Sequence, residues 1–265
     1  MKNHFTIVVP AYNVEQWAEK NIKSALTQDY DNFDVIYIND ASTDETKKIV
    51  DSTFQKLVKE TNADSKVIHN ENNKKALYNI ITAVKLARPN SIIVTLDGDD
   101  RLPHKNVLSF LNEIYSSPDV WMTAGSYVDT STGLVGSPQV DDYFWQGNIR
   151  HKHWAFSHLR TFRRELFLKV DETDMTDKDG EIYKYTFDQV MMFPMAEMSG
   201  PKHCVFIKEP LYAYNRDNPL SVDRVHRSDQ LRIEQAIRNA KPYLRLEELC
   251  CLLYTSDAAD DLLCV

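Results

Sequence analysis

The sequence contains too few cysteines to stabilise a fold by disulfide bonds. Only four cysteines occur in 265 residues, and Cys250, Cys251 and Cys264 all lie in the last sixteen positions. The remaining cysteine, Cys204, has no partner within the body of the chain, which excludes a disulfide framework there. Because Val205 and Phe206 follow it, we expect Cys204 to be a buried apolar side chain.

Long apolar runs and an excess of positive charge are also missing. No run approaches the roughly 20 apolar residues that span a bilayer, and residues 1–4 lead into a strand pattern without the apolar core of a signal peptide. The formal net charge of −8 argues against a general nucleic-acid binder, which needs a basic face. We therefore expect no transmembrane segment, no nucleic-acid partner and a cytoplasmic location, free or peripheral to a membrane.

The first hundred residues alternate between strand and helix patterns. Short runs rich in β-branched residues occupy 5–10, 33–40, 66–70 and 91–97, and each of the first three is followed by apolar residues at helical spacing. This alternation is typical of an α/β domain whose parallel sheet carries helices on its faces. At the helix starts, Asn13 is a candidate N-cap, and Ser42 with Glu45 forms a candidate capping box.

Beyond Asp100 the alternation stops. The patterns there predict helices over 105–115 and 188–198, strands near 120–123 and from Cys204 onward, and loops or hairpins over 126–142. No internal repeat or low-complexity linker interrupts the chain. We therefore expect one domain over 5–245, with a nucleotide-binding half (5–103) and a substrate half (104–245).

Acidic residues gather where the predicted parallel strands end. Asp97, Asp99 and Asp100 follow the fourth strand, Asp40 follows the second, and Tyr12 follows the first. Ligands of open parallel sheets bind beyond the carboxyl ends of the strands, and carboxylates crowded there need a positive partner. A Mg²⁺ or Mn²⁺ ion bridging carboxylates to a diphosphate supplies that partner. The alternative is a solvated acidic turn; the spacing does not fit an EF-hand loop.

Three motifs in order resemble an inverting glycosyltransferase of family 2 with the GT-A fold. They are VVPAYN near the start, INDASTD some thirty residues on, and LDGDD after the fourth strand, and the resemblance covers roughly residues 5–245. It implies a Rossmann-like, mostly parallel sheet flanked by helices, followed by an acceptor-side half over 104–245. It also implies a nucleotide-sugar donor, usually a uridine diphosphate sugar, and Mn²⁺ or Mg²⁺ bound through the Asp-x-Asp motif.

The same resemblance assigns roles in the first half. Pro10, Ala11 and Tyr12 border the base, and Asp40 hydrogen-bonds the base or the ribose. Asp44, close after it, is equally well explained as a local cap in the first turn of its helix.

The Asp-x-Asp motif and one acid of the second half complete the implied chemistry. Asp97 faces the ribose or the metal, and Asp99 binds the metal. The family also has a Glu-Asp pair that opens a helix and supplies the general base. Here Phe187 replaces the Glu and Asp188 remains as the candidate base; its alternative role is a simple first-turn acid. The implied enzyme is a hexosyl- or N-acetylhexosaminyltransferase that inverts the anomeric centre.

The acceptor-side region contains a segment dense in aromatic and basic residues, HKHWAFSHLR. Trp154 is a candidate for stacking on a sugar ring, and His158 and Arg160 are candidates for hydrogen bonds to hydroxyls or phosphate. We expect His151 and His153 to lie on the surface, since no zinc-ligand spacing accompanies them.

Two basic segments leave alternatives open. Lys74 and Lys75 stand where the family often has a glycine-containing turn, and either contact phosphate or begin a solvated helix. In the segment 214–226, Arg216, Arg224 and His226 are candidates for a loop that closes over the diphosphate.

Other functions are less well supported. A sugar-1-phosphate nucleotidyltransferase needs a glycine-rich basic loop after the first strand, and PAYNVEQW has no glycine. A non-catalytic nucleotide-sugar-binding module is the second alternative, favoured by the altered Glu-Asp pair. The acceptor is left open among a glycan, a lipid-linked saccharide and a protein.

The last residues differ from everything before them. The stretch LLYTSDAADDLL is similar to translated sequencing-adapter read-through, so we expect residues 250–265 not to belong to the natural gene. Sequencing of the genomic locus tests this expectation.

Overall fold

The computed structural model describes residues 2–58, 61, 63–138, 140–219 and 225–249. The segment 250–265, for which we expect a non-native origin, lies outside the described residues, and so does Arg224. No helix in the described ranges combines the length and the apolar character needed to cross a bilayer.

A central eight-stranded sheet organises the described chain. Its strands follow the order β3-β2-β1-β4-β7-β5-β6, with β8 paired to β5. The bounds are β1 Phe5–Ala11, β2 Phe33–Asn39, β3 Asp64–His69, β4 Ile92–Thr95, β5 Met122–Asp129, β6 Val135–Gly136, β7 Arg160–Arg163 and β8 Cys204–Tyr214.

Helices connect and cover these strands. Their bounds are α1 Ala18–Leu26, α2 Thr46–Leu57, α3 Lys75–Leu86, α4 Val107–Ile114, α5 Arg164–Phe167, α6 Phe187–His203 and α7 Arg227–Asn239. Short 3₁₀ turns lie at Ile149–His151 and Glu172–Met175.

The parallel half of the sheet confirms the predicted α/β class. β1 pairs in parallel with β2 on one side and β4 on the other, and β3 joins the outer edge of β2. Both faces of β1 are buried: Ile7 and Val9 pack into one apolar cluster, while Val8 packs into the other. Burial on both faces explains why β1 is continuously apolar in sequence rather than alternating.

The second half inserts an antiparallel strand beside the parallel ones. β7 pairs antiparallel with β4, with Arg160 opposite Thr95. An antiparallel neighbour starts where the parallel strand ends. The first residue of β7, Arg160, therefore lies at the same edge of the sheet as the end of β4.

Two predicted helix caps are wrong. The N-cap of α1 is Trp17, and the side chain of Asn13 instead accepts a hydrogen bond from Thr43 N at 2.8 Å. The N-cap of α2 is Glu45 itself, and Ser42 Oγ accepts from Asn13 N at 2.9 Å. Both polar residues tie the loop after β1 to the loop after β2, a long-range use that a local capping pattern does not reveal.

Other boundaries follow the sequence more closely. The helix predicted over 188–198 is present but does not stop there: α6 kinks at Gly200, whose torsions are non-helical with φ of 60° and ψ of −174°, and continues to His203. Cys204 is buried as expected, and burial raises the pKa of its thiol. The region expected to form loops or hairpins begins as strand, since β5 continues to Asp129 and then turns back into β6.

A buried ion pair fastens the acceptor-side half together. Arg150 Nε and Nη2 donate to the two carboxylate oxygens of Glu197 at 2.6 and 2.8 Å, and Arg150 Nη1 donates to Ile237 O at 2.8 Å. Glu197 also accepts from Tyr243 N at 3.0 Å. One charge pair thus joins the 3₁₀ turn at 149–151, α6, α7 and the segment after α7.

Removing one partner of this pair should destabilise the fold strongly. We expect Arg150→Met to lower the free energy of unfolding by about 3–5 kcal/mol, because it leaves the Glu197 carboxylate buried without its countercharge. Urea denaturation measures the loss. Lys48→Met, which breaks the exposed pair with Glu45, is the control and should leave the free energy of unfolding nearly unchanged, because exposed ion pairs contribute little; similar losses in the two variants would contradict this account.

Candidate active site

The carboxyl ends of β2, β1 and β4 meet around Ala11. Ala11 O accepts a hydrogen bond from Asp40 N at 2.8 Å, and Pro10 O accepts from Gly98 N at 3.2 Å. The backbone thus places the start of the loop after β2 and the acid turn, which we define as residues 97–100, on either side of the end of β1. The predicted common edge is confirmed.

Gly98 is required by close packing rather than by its torsions. A Cβ at this position would lie 2.6 Å from Ala11 Cβ and 2.9 Å from Ala11 Cα, closer than side chains normally approach. A side chain here would therefore push the acid turn away from β1.

Two side chains and one backbone N–H group from elsewhere in the fold hold the acid turn. Asn21 of α1 donates through Nδ2 to both Asp97 O and Asp100 O at 2.9 Å. Tyr212 of β8 donates its hydroxyl to Asp100 Oδ2 at 2.7 Å and accepts from Asp97 N at 3.1 Å. Asp100 is nearly fully buried and also accepts from Asn215 N at 2.6 Å. Asp100 therefore anchors the turn, while Asp97 and Asp99 are left for other partners.

Asp97, Arg160 and Asp188 form a charged cluster from three elements. Arg160 begins β7, Asp188 lies in the first turn of α6, and Arg160 Nη2 lies 3.5 Å from Asp188 Oδ2. Burial raises the pKa of Asp97 to about 6; the Arg160 guanidinium opposes this shift, while the Asp99 and Asp188 carboxylates add to it. The single guanidinium of Arg160 thus interacts with the carboxylates of both Asp97 and Asp188, so negative charge exceeds positive charge in this cluster.

The buried histidine His158 contacts the guanidinium of Arg160. Its Nε donates to Phe156 O at 3.1 Å, and its Nη2 lies 3.4 Å from His158 Nε2. The His158 ring stacks on Tyr212 and Tyr214, with centroids 4.3 and 5.0 Å away. Burial and the neighbouring Arg160 lower the pKa of His158 well below its usual range, so the neutral ring accepts from Arg160. His158 therefore orients the arginine from within the protein.

Asp99 and Asp97 are the candidate metal ligands of the acid turn. Asp99 Oδ2 accepts from Asn218 Nδ2 at 2.6 Å. Carboxylate oxygens are the ligands that Mg²⁺ and Mn²⁺ prefer, and Mg²⁺ commonly uses one or two carboxylates plus substrate phosphates. In the described ranges, no three His, Cys, Asp or Glu side chains are grouped to hold an ion. Asp97 and Asp99 fit a metal whose other ligands are phosphate oxygens and water.

Asp40 is engaged by the start of α3. Its Oδ1 accepts from Asn70 Nδ2 at 2.7 Å and from Lys74 N at 2.8 Å, and its Oδ2 accepts from Lys75 N at 2.8 Å. Lys75 adopts a left-handed φ of 71°, a conformation that favours glycine. The glycine expected of the family would suit this turn, and Asp40 stabilises it with lysine present.

Tyr12 offers an exposed ring at the same edge. Its exposed fraction is 43%, and Lys75 Nζ lies 5.8 Å from its ring centroid. Lys75 therefore lies next to Tyr12. It is also the first residue of α3, which agrees with the alternative that Lys75 begins a helix. Pro10 and Ala11 are buried strand residues whose carbonyl groups bind the neighbouring loops.

Asp44 and Trp154 have partners within the fold. Asp44 Oδ1 accepts from Thr46 N at 3.0 Å, so this acid caps the first turn of α2. The Trp154 ring packs edge-on against Phe156 and Phe193, at centroid distances of 5.5 and 5.4 Å. These contacts place Trp154 against the middle of α6, about a turn and a half beyond Asp188.

The remaining basic candidates divide between the surface and local partners. His151 and His153 are exposed, as expected. Arg216 Nη1 lies 3.9 Å from Asp129 Oδ2, and the ring of His226 stacks on Tyr185 at 4.5 Å.

The fold and the acid-lined edge define a GT-A glycosyltransferase architecture. Solved structures with this architecture include a mannosyltransferase from Pyrobaculum calidifontis in complex with GDP-Man and Mn²⁺, at a TM-score of 0.63 and 18% identity over 92% of this chain and 66% of that one. Another is S. aureus TarS in complex with UDP-GlcNAc, at a TM-score of 0.58 and 17% identity over 81% of this chain and 59% of that one.

Sequence similarity identifies the family. The sequence model of glycosyl transferase family 2 matches residues 6–178, and the chain belongs to this family. The glycosyltransferase GlyG of Streptococcus pneumoniae serotype 4 is 25% identical over 82% of this chain and 72% of its own length.

A glycosyltransferase with a named substrate is also similar. The UDP-Glc:alpha-D-GlcNAc-diphosphoundecaprenol beta-1,3-glucosyltransferase WfaP of Escherichia coli is 27% identical over 52% of this chain and 53% of its own length. The chain thus spans about half to three-quarters of these two relatives.

The hydroxyl of Tyr212 should contribute more to stability than that of a comparable buried tyrosine. Tyr212→Phe leaves Asp100 Oδ2 and Asp97 N each without a partner, and we expect it to lower the free energy of unfolding by about 2–4 kcal/mol. Tyr115→Phe is the control: it removes one bond to Thr161, which keeps its 2.6 Å bond to Thr123, so about 1 kcal/mol is expected. Urea denaturation that ranks Tyr115→Phe as the more damaging change would contradict the anchoring role.

Proposed function

We propose that this chain transfers a sugar from a nucleoside diphosphate sugar, with uridine diphosphate sugars the leading candidates, to an acceptor hydroxyl. The reaction uses Mn²⁺ or Mg²⁺ and inverts the anomeric centre in a single displacement. The observation behind the proposal is the convergence of Asp97, Arg160 and Asp188 at the edge where Asp99 and Tyr12 also lie.

The donor's nucleoside is proposed to bind at the ends of β1 and β2. Pro10 and Ala11 form the floor, Tyr12 supplies an exposed ring, and Asp40 contacts the base or the ribose through the one acceptor position on Oδ2 that its three hydrogen bonds leave over. Parallel sheets bind ligands at this edge, beyond the carboxyl ends of their strands. The TarS complex with UDP-GlcNAc supports a nucleotide-sugar donor for this fold.

Asp99, together with Asp97, is proposed to hold the metal against the donor diphosphate. A divalent cation held there would polarise the phosphate oxygens and offset the charge of the leaving diphosphate. Asp97 has a raised pKa because its corner is buried and carries three carboxylates against one guanidinium, so added positive charge is what this corner lacks. The mannosyltransferase complex with GDP-Man and Mn²⁺ supports the choice of ion.

Asp188 is proposed as the general base. Its carboxylate is ion-paired with Arg160 and 25% exposed, so it is both held in place and open to an acceptor hydroxyl. Proton removal by Asp188 makes the hydroxyl oxygen nucleophilic as it attacks the anomeric carbon on the face opposite the diphosphate. Arg160 and Trp154 are proposed to contact the donor phosphates and a sugar ring, respectively.

The acceptor is proposed to be a saccharide, either free as a glycan or attached to a lipid or a protein. WfaP, which by its name acts on a diphosphoundecaprenol-linked sugar, favours the lipid-linked form. Transfer assays with one acceptor of each kind separate the three possibilities.

Removal of the Asp99 carboxylate should abolish metal-dependent donor binding. We expect Asp99→Asn to weaken UDP binding in the presence of Mn²⁺ by at least about a hundredfold, measured by titration calorimetry, while the circular dichroism spectrum and Tm stay close to those of the parent chain. The exposed acid variant Asp142→Asn is the control and should bind normally. Unchanged affinity in Asp99→Asn would remove the metal role from this residue.

Removal of the Asp188 carboxylate should separate binding from turnover. We expect Asp188→Asn to keep its UDP affinity within about threefold and to lose about 10²- to 10⁴-fold in transfer or donor hydrolysis, as for a lost general base. A panel of nucleotide sugars with Mn²⁺ identifies the donor for this assay. If the parent chain binds donors and never turns them over, the non-catalytic module suggested by Phe187 is correct instead.

A further inference from the structure

A basic pocket opens between α1 and the segment that follows the acid turn. The cavity has a volume of about 430 Å³. Its walls come from one face of α1 and from residues 101–105. Its basic lining residues are Lys20, Lys23, Arg101, His104 and Lys105.

The charge of this pocket opposes that of the chain. Five of its ten lining residues are Lys, Arg or His and none is Asp or Glu, whereas the whole sequence has a net charge of −8. Within the described part of the chain, Lys20, Lys23 and Arg101 take part in no ion pair, and Lys105 has only an exposed contact with Asp29 at 3.6 Å. The pocket therefore gathers cations whose charges the surrounding protein does not neutralise.

The floor of the pocket is fixed by hydrogen bonds. Gln28 donates to Ser24 O at 2.9 Å and to His104 O at 3.1 Å, and its Oε1 accepts from Leu108 N at 3.2 Å. Ser24 Oγ accepts from Leu102 N at 3.1 Å. Because the floor ties α1 to the segment before α4, the basic side chains are presented from a rigid surface.

The rim of the pocket is open to solvent. Lys20 and Lys23 are exposed on the face of α1 opposite the buried Ile22 and Ala25, and Arg101 and Lys105 are exposed on the other wall. Lysine and arginine are the usual phosphate-binding side chains. Cations on an exposed rim can meet several headgroups in one plane, unlike the enclosed cradle of backbone N–H groups that grips a single free phosphate.

We infer that this basic pocket binds the phosphates of anionic phospholipids and docks the chain on a negatively charged membrane surface. Basic residues near such a surface each raise affinity by about fivefold at moderate salt, and the effect weakens as salt screens it. The inference does not depend on the proposed donor site, since Lys20 and Lys23 belong to neither the metal nor the nucleotide contacts described above.

Vesicle sedimentation tests the inference with a matched pair of variants. We expect the parent chain to bind vesicles containing 30% phosphatidylglycerol far more strongly than pure phosphatidylcholine vesicles, and to lose this binding at about 0.5 M salt. Lys20→Glu/Lys23→Glu should lower the affinity by at least about twenty-fivefold. Lys47→Glu/Lys56→Glu makes the same charge change on exposed positions of α2 and should bind like the parent.

Three outcomes would overturn the inference. They are no preference of the parent chain for anionic vesicles, equal losses in the two double variants, and binding of soluble pyrophosphate without binding of vesicles. UDP affinity measured on the same variants should stay unchanged, which separates a failure of membrane docking from a failure of the proposed donor site.

Discussion

Three carboxylates follow β4 within four residues, and mutual repulsion would spread them apart unless other parts of the fold held them. Asn21 of α1 donates to two backbone carbonyls of the acid turn, the Tyr212 hydroxyl of β8 accepts from Asp97 N, and Gly98 allows the turn to lie against Ala11. The third acid, Asp100, is buried and bound at both carboxylate oxygens. Asp100 therefore fixes the position of the turn, while Asp97 and Asp99 are the candidates for binding a ligand.

The same constraint explains how the acceptor-side half contributes. β7 enters the sheet antiparallel to β4, which brings Arg160 to the end of β4, and α6 begins nearby with Asp188. Arg160 is the only positive group among the three side chains of the cluster, and buried, neutral His158 fixes its direction. A metal and a diphosphate at Asp97 and Asp99 would complete a charge balance that the protein leaves unfinished.

Much of this arrangement could be predicted from sequence because it follows the chain locally. The order of strands and helices, the acids at strand ends and the start of α6 near Asp188 all leave periodic or motif signals. The contacts that hold the acids leave weaker signals in the sequence, because Tyr212 and Asn215 lie more than a hundred residues from Asp100. Asn21 gave one usable signal, a polar residue on the apolar face of α1. The roles of Asn13 and Ser42 were mispredicted as caps because their partners are distant in sequence.

The central claim is that Asp99, with Asp97, joins a divalent ion to a nucleoside diphosphate at the shared edge of β1, β2 and β4. A crystal structure with UDP and Mn²⁺, with manganese located by its anomalous scattering, tests it most directly. The account predicts an ion in direct contact with an Asp99 oxygen and with the diphosphate, with the uracil beside Tyr12. Manganese and UDP bound away from the acid turn would contradict it.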